Sequence, residues 1–431
     1  MKGINVGIIG LGTVGGGVVR ALIEKRQLLR HRCGVGVNLT AVFDSDKKAY
    51  KRLRVARGII AGSADEILDN ARIDVVVELI GGIRPARDII LRALDAGKYV
   101  VTANKALLAE YGERIFRAAR DHDRYIGFEA SVCGAMPVIK LLRESFSANR
   151  LQALYGIVNG TSNFILTDMS EKQHGMGEAL GRAKEEGIAE ADPGLDIDGL
   201  DACHKLCILA MLAFGVFIRP SDVYVEGIKD VDQADILYAR SWGYEIKPLA
   251  IAKRTGNRLE LRVHPTLIPH RHLLSAVKGA DNAVFIKGDM IGDAMIYGKG
   301  AGRLPAASSV LSDIMDIARY AGSGTPVGDR HLLPDNIHAG KISRIGDLVT
   351  RYYLRFSAID KPGVLAGISS ILAKNKISIA TVTQKGRKER QIVPVVMLTH
   401  EAKESSMNRA LGEINRLNFI KRKTVKLRIE R

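Results

Sequence analysis

Between Glu190 and Lys205 the chain gathers five carboxylates, Glu190, Asp192, Asp196, Asp198 and Asp201, ahead of a single ammonium, Lys205. Pro193 and Gly194 set a turn in the first half, and Leu200 to Leu212 has the apolar spacing of a helix. Asp201 and Lys205 then stand at i and i+4 on one helical face, close enough to interact. Acids gathered in this way can hold an amino group, and a lysine beside them can move a proton. The same pattern describes a solvated helix with an acidic start and one stabilising pair, and spacing alone does not separate the two readings.

The elements that must position such a cluster begin at the N-terminus. Residues 4–9 are an apolar strand pattern, followed directly by Gly10-Leu-Gly12-Thr13-Val14-Gly15 and a helical run from Gly16 to Arg30. Placed between a first strand and a helix, this glycine spacing suits a dinucleotide. Gly10 and Gly12 permit a tight turn and close approach of a pyrophosphate, and Gly15 permits helix–strand contact. Further strands are expected at 39–43, 74–80, 98–102 and 125–128, with helices at 87–96 and 106–121 among them. Apolar strands alternating with helices imply a doubly wound parallel sheet of Rossmann type.

Asp44 ends the second strand, where a carboxylate can accept from an adenosine ribose and repel a 2′-phosphate, favouring NAD over NADP. It lies further from the glycine turn than usual, which an insertion around 27–38 accounts for. Lys47, Lys48, Lys51 and Arg52 nearby argue for a phosphate instead.

From Leu151 the pattern changes. Strands at 151–158, 224–227, 250–253, 259–263, 283–287 and 293–297, with helices at 164–186 and 200–215, read as an α+β domain with an open, mostly antiparallel sheet. Such sheets often pair between subunits, so a dimer is expected. Pro305 to Tyr320 is an amphipathic helix that can return to the first domain, and 321–349, rich in turn-formers, reads as a linker. The expected division is 1–130, 131–320, the linker, and 350–431.

Composition excludes several classes. The 431 residues contain no apolar run of about 18, so no transmembrane helix is expected, and the N-terminus has no signal-peptide pattern, which points to the cytoplasm. Cys33, Cys133, Cys203 and Cys207 form no disulfide framework. Cys203-His204 with Cys207 lacks the second ligand pair of a zinc site. The net charge is +17, and 18 lysines and arginines against six acids from Arg351 onward supply +12 of it. Those charges interleave with apolar Val425, Leu427 and Ile429, as on a folded module with a basic face. A nucleic-acid binder of this charge would carry a recognised binding motif, and this segment shows none.

Several separated blocks converge: Glu78-Leu-Ile-Gly-Gly82 with Pro85-Ala86, Val101-Thr102-Ala-Asn-Lys105, Asn159-Gly160-Thr161-Ser-Asn163, the acidic stretch, and Tyr297-Gly-Lys-Gly300-Ala-Gly302-Arg-Leu-Pro-Ala306. Together they resemble homoserine dehydrogenases over about residues 1–320. Asp360-Lys-Pro-Gly-Val-Leu-Ala366 and Ile377-Ser-Ile-Ala380 resemble an ACT module, a βαββαβ (ferredoxin-like) amino-acid-binding domain.

The resemblance implies NAD(P)-dependent interconversion of L-homoserine and L-aspartate 4-semialdehyde in threonine and methionine biosynthesis. Lys105 and Lys205 match the family's paired lysines, acting on the hydroxyl or carbonyl oxygen. Asp201 matches a residue at the hydride-transfer site. Glu190 and Asp196 match substrate-holding acids, and Asn159, Gly160 and Thr161 match the pocket loop. Gly10, Gly12, Thr13, Val14, Gly15, Asp44, Gly81, Thr102, Lys105, Gly300 and Gly302 are the implied cofactor contacts. Backbone groups at Glu129, Val132, Gly134 and Met136 align with a monovalent-cation site, sodium being suited to such oxygens. An amino-acid effector, threonine first, is implied at the ACT module. Lys299 stands where the family usually has proline, which leaves cofactor choice and turnover open. A related amino-acid or semialdehyde dehydrogenase and an inactive dinucleotide-binding sensor are the alternatives.

Overall fold

The computed structural model describes residues 3–323, 341–384 and 391–430. The chain forms two compact units, each assembled from separate stretches. The first takes Met1–Gln152, His204–Ser221 and Asn282–Gly340; the second takes Ala153–Cys203, Asp222–Asp281 and Lys341–Arg431.

The first unit holds a parallel sheet of β1 (Ile4–Ile9), β2 (Val37–Phe43), β3 (Val75–Glu78), β4 (Tyr99–Thr102) and β5 (Ile126–Gly127), in the order β2-β1-β3-β4-β5. Val75, Val76 and Val77 are wholly buried, as central strands covered on both faces require. The strand order reverses across β1, so the crevice of such a sheet opens at the carboxyl ends of β1 and β3. One helix was expected from Gly16 to Arg30. There are two, Thr13–Glu24 and Arg26–Cys33, because Lys25 (φ −105°, ψ 15°) leaves the helical region. The second helix occupies the excess length between the glycine turn and Asp44. Helix Arg303–Ser323 seats Ala307, Val310, Leu311, Ile314, Ile317 and Ala318 in the same core as Val6, Val18 and Val19.

The second unit is built on β6 (Leu151–Ile157), β7 (Tyr224–Val225), β8 (Tyr244–Thr255) and β9 (Arg258–Pro269). β6 and β9 each pair antiparallel with β8, while β7 runs parallel to β9. β8 and β9 are much longer than expected, since each contains a proline. Pro248 stands directly opposite Pro265. Residues facing each other across an antiparallel ladder either exchange two hydrogen bonds or none, so facing prolines occupy a position where neither needs an N–H. The helix expected at 164–186 is likewise two, Gly160–Lys172 and Met176–Glu185, broken where Gln173 takes φ 60°.

The hairpin β10 (Asp281–Gly288) and β11 (Gly292–Lys299) leads to the helix at Arg303. Of the stretch expected as a linker, Ala321–Ser323 belong to that helix, 324–340 lie outside the described residues, and β12 (Lys341–Ile342) pairs with β9.

Then follow β13 (Val349–Ile359), helix Val364–Lys374, β14 (Ile379–Thr383), β15 (Ile392–Thr399), β16 (Ala402–Lys403), helix Glu404–Ile414 and β17 (Ile420–Ile429). The order β17-β13-β15-β14 with two helices is the βαββαβ arrangement of an ACT domain. Strand alternation gives this sheet two apolar faces. Tyr352, Leu354 and Phe356 pack with Ile368, Leu372, Met407 and Leu411 of its own helices. Tyr353, Val396, Leu398, Leu427 and Ile429 pack with Ile236, Tyr238, Ala239 and Leu267.

The module is therefore no pendant domain. β17 continues the sheet onto β9, pairing parallel through Arg428 opposite Thr266 and Ile429 opposite Leu267. Wholly buried Asp235 accepts from Tyr353 Oη at 2.8 Å and from Arg355 at 2.6 and 2.9 Å. Wholly buried Arg428 reaches Glu404 at 2.7 Å and Glu226 at 2.9 Å. Among the described residues no helix is long and apolar enough to cross a membrane.

Candidate active site

The glycine turn expected to cradle a dinucleotide lies in the first unit. Gly10 has φ 102°, and a Cβ there would stand 2.6 Å from the Leu79 carbonyl carbon; one on Gly15 would stand 2.0 Å from the Gly10 oxygen. Only glycine folds this turn against the end of β3. A Cβ on Gly12, Gly81 or Gly82 would meet nothing within 4 Å, so open space borders the turn at these three positions. Thr13 and Val14 begin the helix, whose free N–H groups suit an anion.

Asp44 follows β2 as expected, but its carboxylate is engaged. Oδ2 accepts from Leu11 N at 2.5 Å and Oδ1 from Asp46 N at 2.7 Å. It ties the glycine turn to the second strand, and each oxygen keeps a further lone pair for a ribose hydroxyl. Arg52 reaches the Leu11 carbonyl at 3.4 Å, which puts a cation beside the same turn.

Buried Glu78 ends β3. It accepts from Ile80 N at 2.9 Å and from Thr102 Oγ1 at 2.7 Å, and burial raises its pKa. Thr102 Oγ1 in turn accepts from Asn104 N at 3.1 Å. Asn104 caps the helix Lys105–Asp121 through Leu107 N and donates to the Gly82 carbonyl at 2.6 Å. Lys105 is thus the first residue of a capped helix, half-buried. Asn104 was legible as an N-cap but was not singled out.

Glu129 is buried, and its carboxylate accepts from Ile139 N at 2.9 Å and Lys140 N at 3.0 Å. Burial pushes its pKa up to about 7. The side chain caps a helix, which leaves the main chain as its possible contribution to a cation. The Gly134 carbonyl accepts from Ser309 Oγ at 2.6 Å and that of Met136 from Val138 N at 2.8 Å, each keeping a second lone pair. Val132 and Met136 are buried. No cluster of three or more His, Cys, Asp or Glu side chains that could hold a metal occurs among the described residues. Gly300 and Gly302 lie just before the Arg303 helix; Gly302 has φ 124°, and exposed Lys299 ends β11.

The substrate candidates assemble in the second unit. Asn159, 4% exposed, caps helix Gly160–Lys172 through Ser162 N. Its Nδ2 donates to Asp196 Oδ1 at 2.6 Å and to Asp201 Oδ2 at 2.8 Å. Ser162 Oγ donates to the Asp196 carbonyl at 2.9 Å and Thr161 Oγ1 to that of Ile188 at 3.2 Å. Gly160 is forced by close approach, since a Cβ would lie 2.6 Å from the Ala280 oxygen. Asp196 sits on the short helix Gly194–Ile197, and Asp201 and Lys205 lie one turn apart on helix Leu200–Phe214. Glu190 is exposed, and Asp198 pairs with Lys229 at 2.5 Å. The structure brings Asn159, Asp196 and Asp201 into contact. Asn163, which ends the Asn159–Asn163 block, is wholly buried; it donates to the Gly279 carbonyl at 2.9 Å and fixes the loop behind Gly160.

Comparison with known proteins gives this geometry a family. Residues 10–129 match the model "Homoserine dehydrogenase, NAD binding domain", 137–315 match "Homoserine dehydrogenase", and 352–419 match "ACT domain". The homoserine dehydrogenase of Neisseria gonorrhoeae is 41% identical over 432 residues, covering 100% of this chain and 99% of that one. The crystal structure of a homoserine dehydrogenase from Thiobacillus denitrificans superposes with a TM-score of 0.94 at 41% identity, covering 100% of this chain and 99% of that one. A hyperthermophilic archaeal homoserine dehydrogenase in complex with NADPH matches with a TM-score of 0.62 at 27% identity, covering 74% of this chain and 98% of that one. With its glycine-turn sheet, amide-bridged acids and ACT module, the chain belongs to the homoserine dehydrogenase family of NAD(P)-dependent oxidoreductases.

Proposed function

We propose that the protein interconverts L-homoserine and L-aspartate 4-semialdehyde in threonine and methionine biosynthesis, under control of an amino acid at its ACT module. The observation that carries the substrate side is the contact of Asn159 with Asp196 and Asp201. An amide donating to two carboxylates keeps them together and leaves further lone pairs for the substrate ammonium. Exposed Glu190 adds a third acid on the same stretch. A bound nicotinamide nucleotide supplies or accepts the hydride at the terminal carbon. The open side of the glycine turn, with Thr13, Val14, Gly81, Thr102, Gly300 and Gly302, is the cradle that would hold it.

Lys105 and Lys205 supply the proton relay of this reading. One lysine polarises the carbonyl oxygen as an ammonium and the other gives the hydroxyl proton as an ammonium or takes it as a neutral amine, with Asp201 orienting Lys205 from one turn away. Backbone oxygens around Glu129, Val132, Gly134 and Met136 would hold a monovalent cation and fix the turn before the second domain. We take the functional boundaries as 1–130, 131–320 and 350–431, and the working form as a homodimer or larger homo-oligomer. Absorbance of the reduced nicotinamide, followed with homoserine and with NAD or NADP in turn, tests the reading. No reduction with either cofactor would refute it.

A further inference from the structure

In the second unit a pocket of about 340 Å³ opens between helix Gly160–Lys172, helix Gln233–Ser241, β8 and the turn Leu273–Ala276. It shares no residue with the Asn159 cluster. Lys247 lines it, 4% exposed, and donates to the Val277 carbonyl at 2.5 Å. Among the described residues that is the only hydrogen bond of its side chain, and it has no ion pair, so the ammonium has one protein partner for three N–H donors. A buried ammonium without a carboxylate favours an anion beside it. Burial holds its pKa down at about 8, with Glu245 and Glu171 acting upward and Lys278 downward.

Two carboxylates line the same pocket. Glu245 accepts from Ser170 Oγ at 3.1 Å and lies 3.6 Å from both Arg240 and His270. Glu171 pairs with Lys278 at 2.5 Å. The side chains of Arg240 and Lys278 are 47% and 63% exposed, so these are surface pairs that can yield to a competing cation. Thr167, Ser170 and Ser275 add hydroxyls. The pocket thus has an ammonium at its buried end and two cation-paired carboxylates along its wall.

We propose that this pocket binds a small zwitterion, an α-amino acid, with its carboxylate on Lys247 and its ammonium on Glu245 or Glu171. The site is separate from the proposed substrate cluster and from the ACT module. Its occupancy bears on the substrate loop. The Val277 carbonyl held by Lys247 also accepts from Asn163 Nδ2 at 3.4 Å, one turn along the helix from Asn159.

Reductive methylation of the intact protein, read peptide by peptide by mass spectrometry, tests this without recourse to activity. The probes are L-threonine, L-methionine, acetate and inorganic phosphate, with exposed Lys421 as the internal control. At least one amino acid is expected to slow modification of Lys247 about tenfold relative to Lys421. Glu171→Gln combined with Glu245→Gln is expected to abolish that protection. Failure of both amino acids to protect overturns the proposal. Equal protection by acetate or phosphate overturns the zwitterion. Protection that persists in the double variant places the ligand elsewhere and overturns the site.

Discussion

The side-chain amide of Asn159 donates to Asp196 at 2.6 Å and to Asp201 at 2.8 Å, so one Nδ2 group joins carboxylates carried by two different helices. Each bond to a charged group is worth about 1.5–3 kcal/mol. Asn159→Ala should raise the KM for homoserine by roughly 10- to 100-fold with a smaller change in kcat. Asn159→Asp adds a third carboxylate to the cluster and should do more damage than Ala. Steady-state kinetics of the pair decide the point, and an Asp variant as active as wild type would remove the amide from substrate binding.

Lys105→Ala and Lys205→Ala should each lower kcat by about 10² to 10⁴, the usual range for losing an acid–base group. Both positions are helical and partly exposed, and Ala suits a helix. Thermal unfolding midpoints should therefore stay near the wild-type value. Near-native turnover by either variant would remove that lysine from the proton relay.

In the proposed reading cofactor choice hinges on Asp44, whose bonds to Leu11 N and Asp46 N make it part of the glycine turn. A serine there would release the turn as well as the charge. Asp44→Asn, which keeps one acceptor oxygen, is the cleaner change. It should shift the ratio of kcat/KM for NADP over NAD upward by roughly tenfold, since one charge facing a 2′-phosphate is worth about 1 kcal/mol or more. A wild-type protein that already prefers NADP would hand the decision to Arg52, Lys299 and the neighbouring lysines.

Removal of the ACT module should not yield a stable enzyme. Ending the chain near Gly346 would uncover the apolar surface around Tyr238, Ala239 and Leu267 and strip Asp235 and Glu226 of their arginines. Arg355→Met alone, leaving Asp235 buried without its ion pair, should lower unfolding free energy by about 3–5 kcal/mol. Chemical denaturation measures it. A loss under 1 kcal/mol would show that the module is only loosely attached, and effector response would then be testable by truncation.

Lys247 predicts a pH signature. Its folded pKa of about 8 lies below the ordinary 10.5, so folding favours the neutral amine. The resulting stability is present above about 10.5 and is lost as pH falls through 8. Relative to Lys247→Met, wild-type unfolding free energy should rise between pH 8 and 10 by about 2 kcal/mol. Parallel stability curves for the two proteins would show that the ammonium is solvated.

The sequence was most readable where local pattern and burial agree. The strand-glycine-helix start and helix Val364–Lys374 follow from apolar periodicity and glycine spacing. It was least readable where a tertiary partner overrides a local signal. Pro248 and Pro265 each shorten a strand by local rules, and only their cross-strand pairing makes both harmless. Gln173 breaks a helix in a conformation that nothing in its type announces. The acidic stretch displayed Asp196 and Asp201, but Asn159 lies about 40 residues upstream of both, so their bridge was not legible from spacing. Lys247 looked like one basic residue among many.

The pairing of β17 with β9 joins residues about 160 positions apart, and the second unit is gathered from three stretches of chain. During vectorial synthesis the middle stretch is made long before the strand that completes its sheet. Until then β9 presents an open edge, and the Tyr238–Leu267 surface lacks its cover. Domain-by-domain maturation on the ribosome is thereby closed to this unit, and folding must wait for contacts of high sequence separation, which form slowly. A nascent chain stalled or cleaved ahead of Ile420 is therefore expected to offer that edge and that apolar surface to chaperones and proteases.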